Sequence, residues 1–403
     1  MNILVVGAQL GNKGAESMLY IATDEVKKRF PEANVLFGTE EIYDEKNYLF
    51  EKLNYSERAK TIALGGIKGV IEIPKSFCKD IIKFIIGRRT HLGHYFDVKR
   101  KFREIDMIID VSGFAIGIKW NKQVHKSYIN NIKLAKKYHI PIYMMPQSFG
   151  PFCYDSDMEP IKRELTEVLD YPKVVYARER DGYKELVHTF DLKNVKLSMD
   201  LVLQNQGINW RNVFKSEPTI RVPKISGNHN VGIIPNKQCF NHGNREKNIE
   251  IYKKVIENLV ADGYKVTIFR HSDEDLEICS LIKSLFEKNE RVYLEKKEFS
   301  CLEYDQYVKQ FDFVICSRFH GLVHAYRNSI PCIALGWSIK YKELVENVGE
   351  KGYSFDITDS SLNADDILLA IGKMEKNLDN EKEIIKKRVT EIQKDNCFDS
   401  ILK

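Results

Sequence analysis

Ile3-Leu4-Val5-Val6-Gly7-Ala8-Gln9-Leu10-Gly11-Asn12-Lys13-Gly14-Ala15-Glu16 is an apolar run that stops at glycine and opens into a helical pattern. The run reads as a strand, and Gly14 to Phe30 as the helix after it. Gly7, Gly11 and Gly14 are spaced 4 and 3 apart. That is only loosely a dinucleotide loop, which needs G-x-G-x-x-G. The same unit recurs. Val35 to Gly38, Met107 to Val111, Ile142 to Met145 and Val174 to Ala177 read as strands. Gln123 to Tyr138, Asp157 to Leu169 and Asp181 to Phe190 read as helices between or after them. After Gln204 the chain turns polar and carries Pro218 and Pro223; it then restarts with strands at Val231 to Ile234, Val266 to Arg270, Val292 to Leu294, Phe313 to Cys316 and Cys332 to Leu335. Helices are expected at Lys247 to Asp262, Asp273 to Lys288, Ala364 to Met374 and Glu381 to Lys394. Strands alternating with helices predict parallel sheets covered on both faces. The expected fold is α/β, two Rossmann-like domains facing a cleft. The expected parts are an N-terminal domain 1–204, a linker 205–229, a C-terminal domain 230–375 and a C-terminal helix 376–403 that packs back on the first domain.

The 403 residues suit two or three domains, and 43% hydrophobic with 30% charged residues excludes a largely disordered chain. Lys+Arg 62 against Asp+Glu 57 gives +5. That suits an anionic small molecule or membrane surface and is too small to argue for nucleic acid. The eight cysteines form no C-x-x-C pair, so neither a zinc site nor disulfides are expected, and a reducing cytoplasm is. The chain opens directly on a strand, so no signal peptide is expected. No apolar run reaches about 18 residues, so no transmembrane helix is expected either.

Ligands of open α/β sheets sit at the carboxyl ends of strands, which directs attention to the residues just beyond them. After the first strand, free N–H groups at the helix start can meet an anion or hydroxyl, and Glu16 either joins the chemistry or favours the helix dipole. Asp110-Val111-Ser112-Gly113 is a small-residue turn in which Asp110 either caps N–H groups or faces a substrate. Gln147 and Ser148 end another strand, placed to bind sugar hydroxyls. Arg178, in Tyr176-Ala177-Arg178-Glu179-Arg180-Asp181, suits a carboxylate or phosphate, against an Arg–acid network as the plain reading. Ser317-Arg318-Phe319-His320-Gly321 places a cation and an imidazole beside a helix start, an anion site with a proton donor. Lys340 adds a third positive group. His271 stays open, and Asp273 to Asp275 read as a helix cap. The basic amphipathic stretch from Phe77 to Arg89, with Lys99 to Arg103 beyond it, packs on the sheet or lies in a membrane interface.

Together these residues resemble the polysaccharide pyruvyl transferase family, from Met1 to about Gly352. The marks, in order, are Gly11-Asn12-x-Gly14-Ala15-Glu16, Asp110-x-Ser112-Gly113, Gln147 to Pro151, Arg178 ahead of Asp181, Ser198-x-Asp200, Ser317-Arg318-x-His320-Gly321 and Lys340. Ala15 stands where many members carry aspartate, which moves attention to Glu16. Leu49 to Ile105 matches poorly. The resemblance implies a GT-B-like, two-domain enzyme. It would transfer a pyruvyl group from phosphoenolpyruvate to a sugar of a surface-glycan precursor, forming a ketal and releasing phosphate, with no cofactor and no metal. On that basis the first domain takes the acceptor, through Asn12, Ser112, Gly113, Gln147 and Ser148. The second takes phosphoenolpyruvate, through Arg318, His320 and Lys340, with Arg178 across the cleft. His320 acts as general acid or holds the leaving phosphate, and Glu16 and Asp110 are the candidate bases. The acceptor is a saccharide, lipid-linked or free, met in the cytoplasm or at the inner face of an anionic membrane. The rival readings are a GT-B glycosyltransferase using a nucleotide sugar and a non-catalytic glycan-binding or scaffold protein of the same fold.

Overall fold

The computed structural model describes residues 1–65, 99–118 and 120–402. The stretch from Phe77 to Arg89 lies outside them. Strands β1 (Asn2–Val6), β2 (Asn34–Thr39), β3 (Glu51–Asn54), β4 (Met107–Asp110), β5 (Phe114–Ile116), β6 (Ile142–Phe149), β7 (Val174–Ala177) and β8 (Val195–Leu197) form the first sheet. Its order is β3-β2-β1-β4-β6-β7-β8, with β5 added beside β6. Each described pairing is parallel. The continuous apolar run of β1 follows from burial on both faces. Ile3 and Val5 enter one apolar cluster, and Leu4 and Val6 enter the other.

The second sheet holds β9 (Asn230–Ile234), β10 (Lys265–Phe269), β11 (Val292–Glu295), β12 (Phe313–Cys316), β13 (Cys332–Gly336) and β14 (Ser354–Asp356). Its order, β11-β10-β9-β12-β13-β14, is the doubly wound pattern, again parallel. The helix expected over Asp273 to Lys288 divides into a 3₁₀ turn, Asp273–Asp275, and a helix, Leu276–Ser284. Ser272 and Asp275 form a capping box there.

One apolar cluster runs from the first sheet through helix Lys13–Arg29 into the second domain. Two carboxylates then tie the halves by capping each other's helices. Glu16 accepts the Cys301 N–H (2.8 Å) at the start of helix Cys301–Val308. Glu343 accepts the Arg180 and Asp181 N–H groups (2.8 and 3.2 Å) at the start of helix Arg180–Phe190, whose own N-cap side chain makes no such bond. An anion at a helix N-terminus satisfies free donors and opposes the helix dipole. The residues after β8 pack on the first domain: Asn212 donates to Asp24 (2.7 Å). The chain end returns there as well. Cys397 N–H donates to Gln204 (3.2 Å), and Arg29 pairs with Asp399 (2.7 Å).

Candidate functional site

The carboxyl ends of both sheets point at one seam. β1, β4, β6 and β7 deliver Asn12, Ser112, Gln147 and Arg178 from one side, and β10, β12 and β13 deliver His271, His320 and Lys340 from the other. At Gly14 the two halves approach closely. A Cβ built on it would sit 2.1 Å from His320 Cγ, so the imidazole rests directly on the backbone of the first helix. Gly7 has φ +84°, and a Cβ there would lie 2.2 Å from Ser112 Oγ. Glycine lets these loops approach one another.

A charged chain crosses the seam beneath His320. Its Nε2 lies 3.5 Å from Asp200 Oδ2, longer than a direct hydrogen bond. The same oxygen accepts from Arg178 Nη1 (2.8 Å). Arg178 Nε donates to Ser148 Oγ (2.9 Å) and Glu179 Oε1 (3.1 Å), and its guanidinium carbon sits 4.0 Å over the Phe319 ring. Burial works to raise the Asp200 carboxyl, but His320 and Arg178 outweigh it and hold it well below the usual carboxylate range. Burial pushes His320 down against the pull of Asp200, so the imidazole is largely neutral at pH 7. Lys340 Nζ lies 4.6 Å from the Phe114 centroid and 5.4 Å from those of Phe319 and Trp337, within cation–π range.

Other sequence-predicted residues are placed differently. Asp110 is fully buried. It accepts from Ser112 N–H (2.9 Å), Asn131 Nδ2 (3.3 Å) and Gln147 Nε2 (2.9 Å), so it shapes the Ser112–Gly113 turn rather than facing a substrate hydroxyl. Gln147 donates through Nε2 to Asp110, while its Oε1 is buried with no hydrogen-bond partner among the described residues, and Ser148 donates to Glu179 (2.7 Å). The Ser148 hydroxyl and the Gln147 amide nitrogen thus hold the loop, which leaves the Gln147 carbonyl oxygen as an acceptor. Asn12 caps the first helix through Gly14 and Ala15 N–H (3.1 and 3.4 Å).

The Arg318 fork grips Asp275, with Nε 2.8 Å from Oδ2 and Nη2 2.6 Å from Oδ1, and also reaches Glu274. Its Nε and Nη2 are thus engaged within the protein. Removing one member of a buried pair strands the other charge. Arg318→Ala is therefore expected to cost about 3–5 kcal/mol of stability by leaving Asp275 unpaired. Urea unfolding checks this, and an unchanged midpoint would contradict it.

Glu16 spends both oxygens, on Tyr20 OH (2.8 Å) and on Cys301 N–H. Its place is the interdomain cap, not an open base. Burial raises its carboxyl to about 7. The folded value exceeds the unfolded one, so between about pH 4.5 and 7 the native state binds the extra proton and loses stability as pH rises. Glu16→Gln is expected to flatten the fall in melting temperature across that window. A wild-type slope in the variant would dismiss this role.

Sequence reasoning missed His324. Its Nδ1 lies 2.9 Å from Asp305 Oδ1 and its Nε2 3.4 Å from Ser17 Oγ. Asp305 is pulled down to about 2, against burial, by His324 and Arg327. The i, i+4 spacing from His320 puts both rings on one helix face and was the available signal.

A sequence model of the family described as polysaccharide pyruvyl transferase matches residues 12–339. The chain belongs to that family. The match runs from Asn12, cap of the first helix, to the residue before Lys340. No curated protein sequence matches the chain. UDP-GlcNAc 2-epimerase from Neisseria meningitidis shares 12% identity over all of both chains, with a TM-score of 0.56. MnaA of S. aureus shares 11% over 94% of this chain and 90% of its own, with a TM-score of 0.51. OtsA shares 9% over 100% and 99%, with a TM-score of 0.52. These likenesses carry the fold alone: two parallel-sheet α/β domains of the GT-B kind. Among the described residues no helix is long and apolar enough to cross a membrane.

Proposed function

We propose that this family member transfers a pyruvyl group from phosphoenolpyruvate to two hydroxyls of a saccharide, forming a ketal and releasing phosphate. The observation that carries this reading is the interdomain constellation itself. A buried, mainly neutral His320 lies against ionised Asp200, with Lys340 beside it in the seam. A neutral imidazole can take a proton from an attacking hydroxyl, and the Asp200 carboxylate stabilises the imidazolium that results. The hydroxyl oxygen bonds to C2 of phosphoenolpyruvate as the C2=C3 electron pair takes that proton at C3. The C2–O bond to phosphate then breaks with its electron pair. The second hydroxyl bonds to C2 and passes its proton to the departing phosphate through the imidazole, which is neutral again once C3 has taken the first proton, and the ring closes. Lys340 supplies positive charge for the donor's carboxylate or phosphate.

The acceptor belongs to the precursor of a surface polysaccharide, and the reaction is placed in the cytoplasm or at the membrane's inner face. Incubation with phosphoenolpyruvate and a panel of free and diphosphate-linked saccharides tests the reading. Equimolar phosphate and pyruvate ketal are expected from at least one acceptor. Phosphate release without ketal, or sugar transfer from a nucleotide sugar, would refute it.

A further inference from the structure

We propose that Lys13 and Arg270 form a phosphoryl-binding subsite across the domain seam, which Glu298 fills with its own carboxylate until a phosphoryl group displaces it. This rests on the pyruvyl-transfer reading only for the identity of the ligand. Lys13 opens the first helix of one domain, and Arg270 follows β10 of the other. Lys13 is 1% exposed and Arg270 9%. Buried cations of this kind need counter-charge. They share Glu298, with Lys13 Nζ 3.7 Å from Oε1 and Arg270 Nη2 3.7 Å from Oε2. Both separations are longer than a hydrogen bond, and the Glu298 side chain is 54% exposed. A half-exposed carboxylate loosely set between two buried cations exchanges readily with water.

The surrounding groups are also left wanting. Arg270 Nε lies 3.4 Å from Asp273 Oδ1 but is buried without a hydrogen-bond partner in the protein. His271 is 1% exposed, and both its ring nitrogens are buried and equally unpartnered. Its ring stacks 6.5 Å from His320 and lies 5.1 Å from Tyr304 and 5.9 Å from His324. The charge of Lys13 reaches it. Buried donors without acceptors are costly, and a phosphoryl group offers several oxygens at once. The start of a 17-residue helix adds its dipole in the same direction. Glu16 also interacts with Lys13, and its carboxyl oxygens are committed to Tyr20 and Cys301.

The phosphoryl group comes from phosphoenolpyruvate or from a diphosphate that carries the acceptor. Calorimetric titration of the full-length protein with phosphoenolpyruvate and, separately, with inorganic pyrophosphate distinguishes them. Lys13→Met should weaken the responding ligand about tenfold, the scale of one charge-assisted hydrogen bond. Glu298→Gln, with folding checked by a melting curve, should tighten the same ligand several-fold by removing the internal competitor. Opposite effects on phosphoenolpyruvate assign the subsite to the donor. Opposite effects on pyrophosphate alone assign it to a diphosphate-linked acceptor. If phosphoenolpyruvate fails to bind the wild type while pyrophosphate shows both effects, the subsite stands and the pyruvyl-transfer reading falls. If neither variant changes either affinity, the subsite is overturned, and wild-type binding of phosphoenolpyruvate would leave the transfer reading intact.

Discussion

Gly14→Ala is expected to lower turnover by about 100-fold or more while the protein stays folded. The added methyl would lie 2.1 Å from Cγ and 2.3 Å from Nδ1 of His320. No such contact exists between real atoms, so the imidazole or the helix must move. Gly14 is already helical and Asn12 still caps the turn, so the backbone tolerates alanine. What is lost is the ring's position over Asp200, and a displacement of about 1 Å in a catalytic group costs about 100-fold. The measurement is kcat beside a melting curve. Near-normal kcat would show that His320 need not sit where the structure places it.

His320→Gln is expected to reduce kcat by about 10²–10⁴, the usual worth of a positioned acid–base group, with the apparent KM for phosphoenolpyruvate changed far less. A pH series separates this from mere disruption. His320 works as the neutral ring, so kcat/KM should rise with pH through its titration, below the ordinary histidine value because burial lowers it. Asp200 opposes that lowering. Asp200→Asn should therefore move the acid limb to still lower pH. A limb that stays in place would separate Asp200 from His320.

The interior strands were legible because burial on both faces leaves an apolar run that nothing else explains. The strands missed at sheet edges are β3, β8 and β14. Glu51-Lys52-Leu53-Asn54 has one buried residue, Val195-Lys196-Leu197 one, and Ser354-Phe355-Asp356 none. An edge strand half open to solvent carries polar residues and loses its signal. β5 is missed for another reason: it is three residues long.

The site was legible as a set of loops, since the carboxyl ends of strands follow from the fold. What each charge would do was not. Arg318 finds Asp275 43 positions away, Arg178 finds Asp200 22 away, and Glu16 finds the Cys301 N–H 285 away. A motif shows that a cation stands at a strand end. Only the packing of two domains shows which partner each charge finds. Hence Arg318, Glu16 and Asp110 are seen to hold the structure, and His320 and Lys340 are seen in the seam.

The most direct test of the central claim is thermal unfolding with phosphoenolpyruvate, with UDP-N-acetylglucosamine in parallel. A ligand at about 100 times its dissociation constant adds roughly 2.7 kcal/mol to native stability. Phosphoenolpyruvate alone is expected to raise the melting temperature, and Lys340→Met to reduce that shift. Stabilisation by the nucleotide sugar with none from phosphoenolpyruvate would contradict the account.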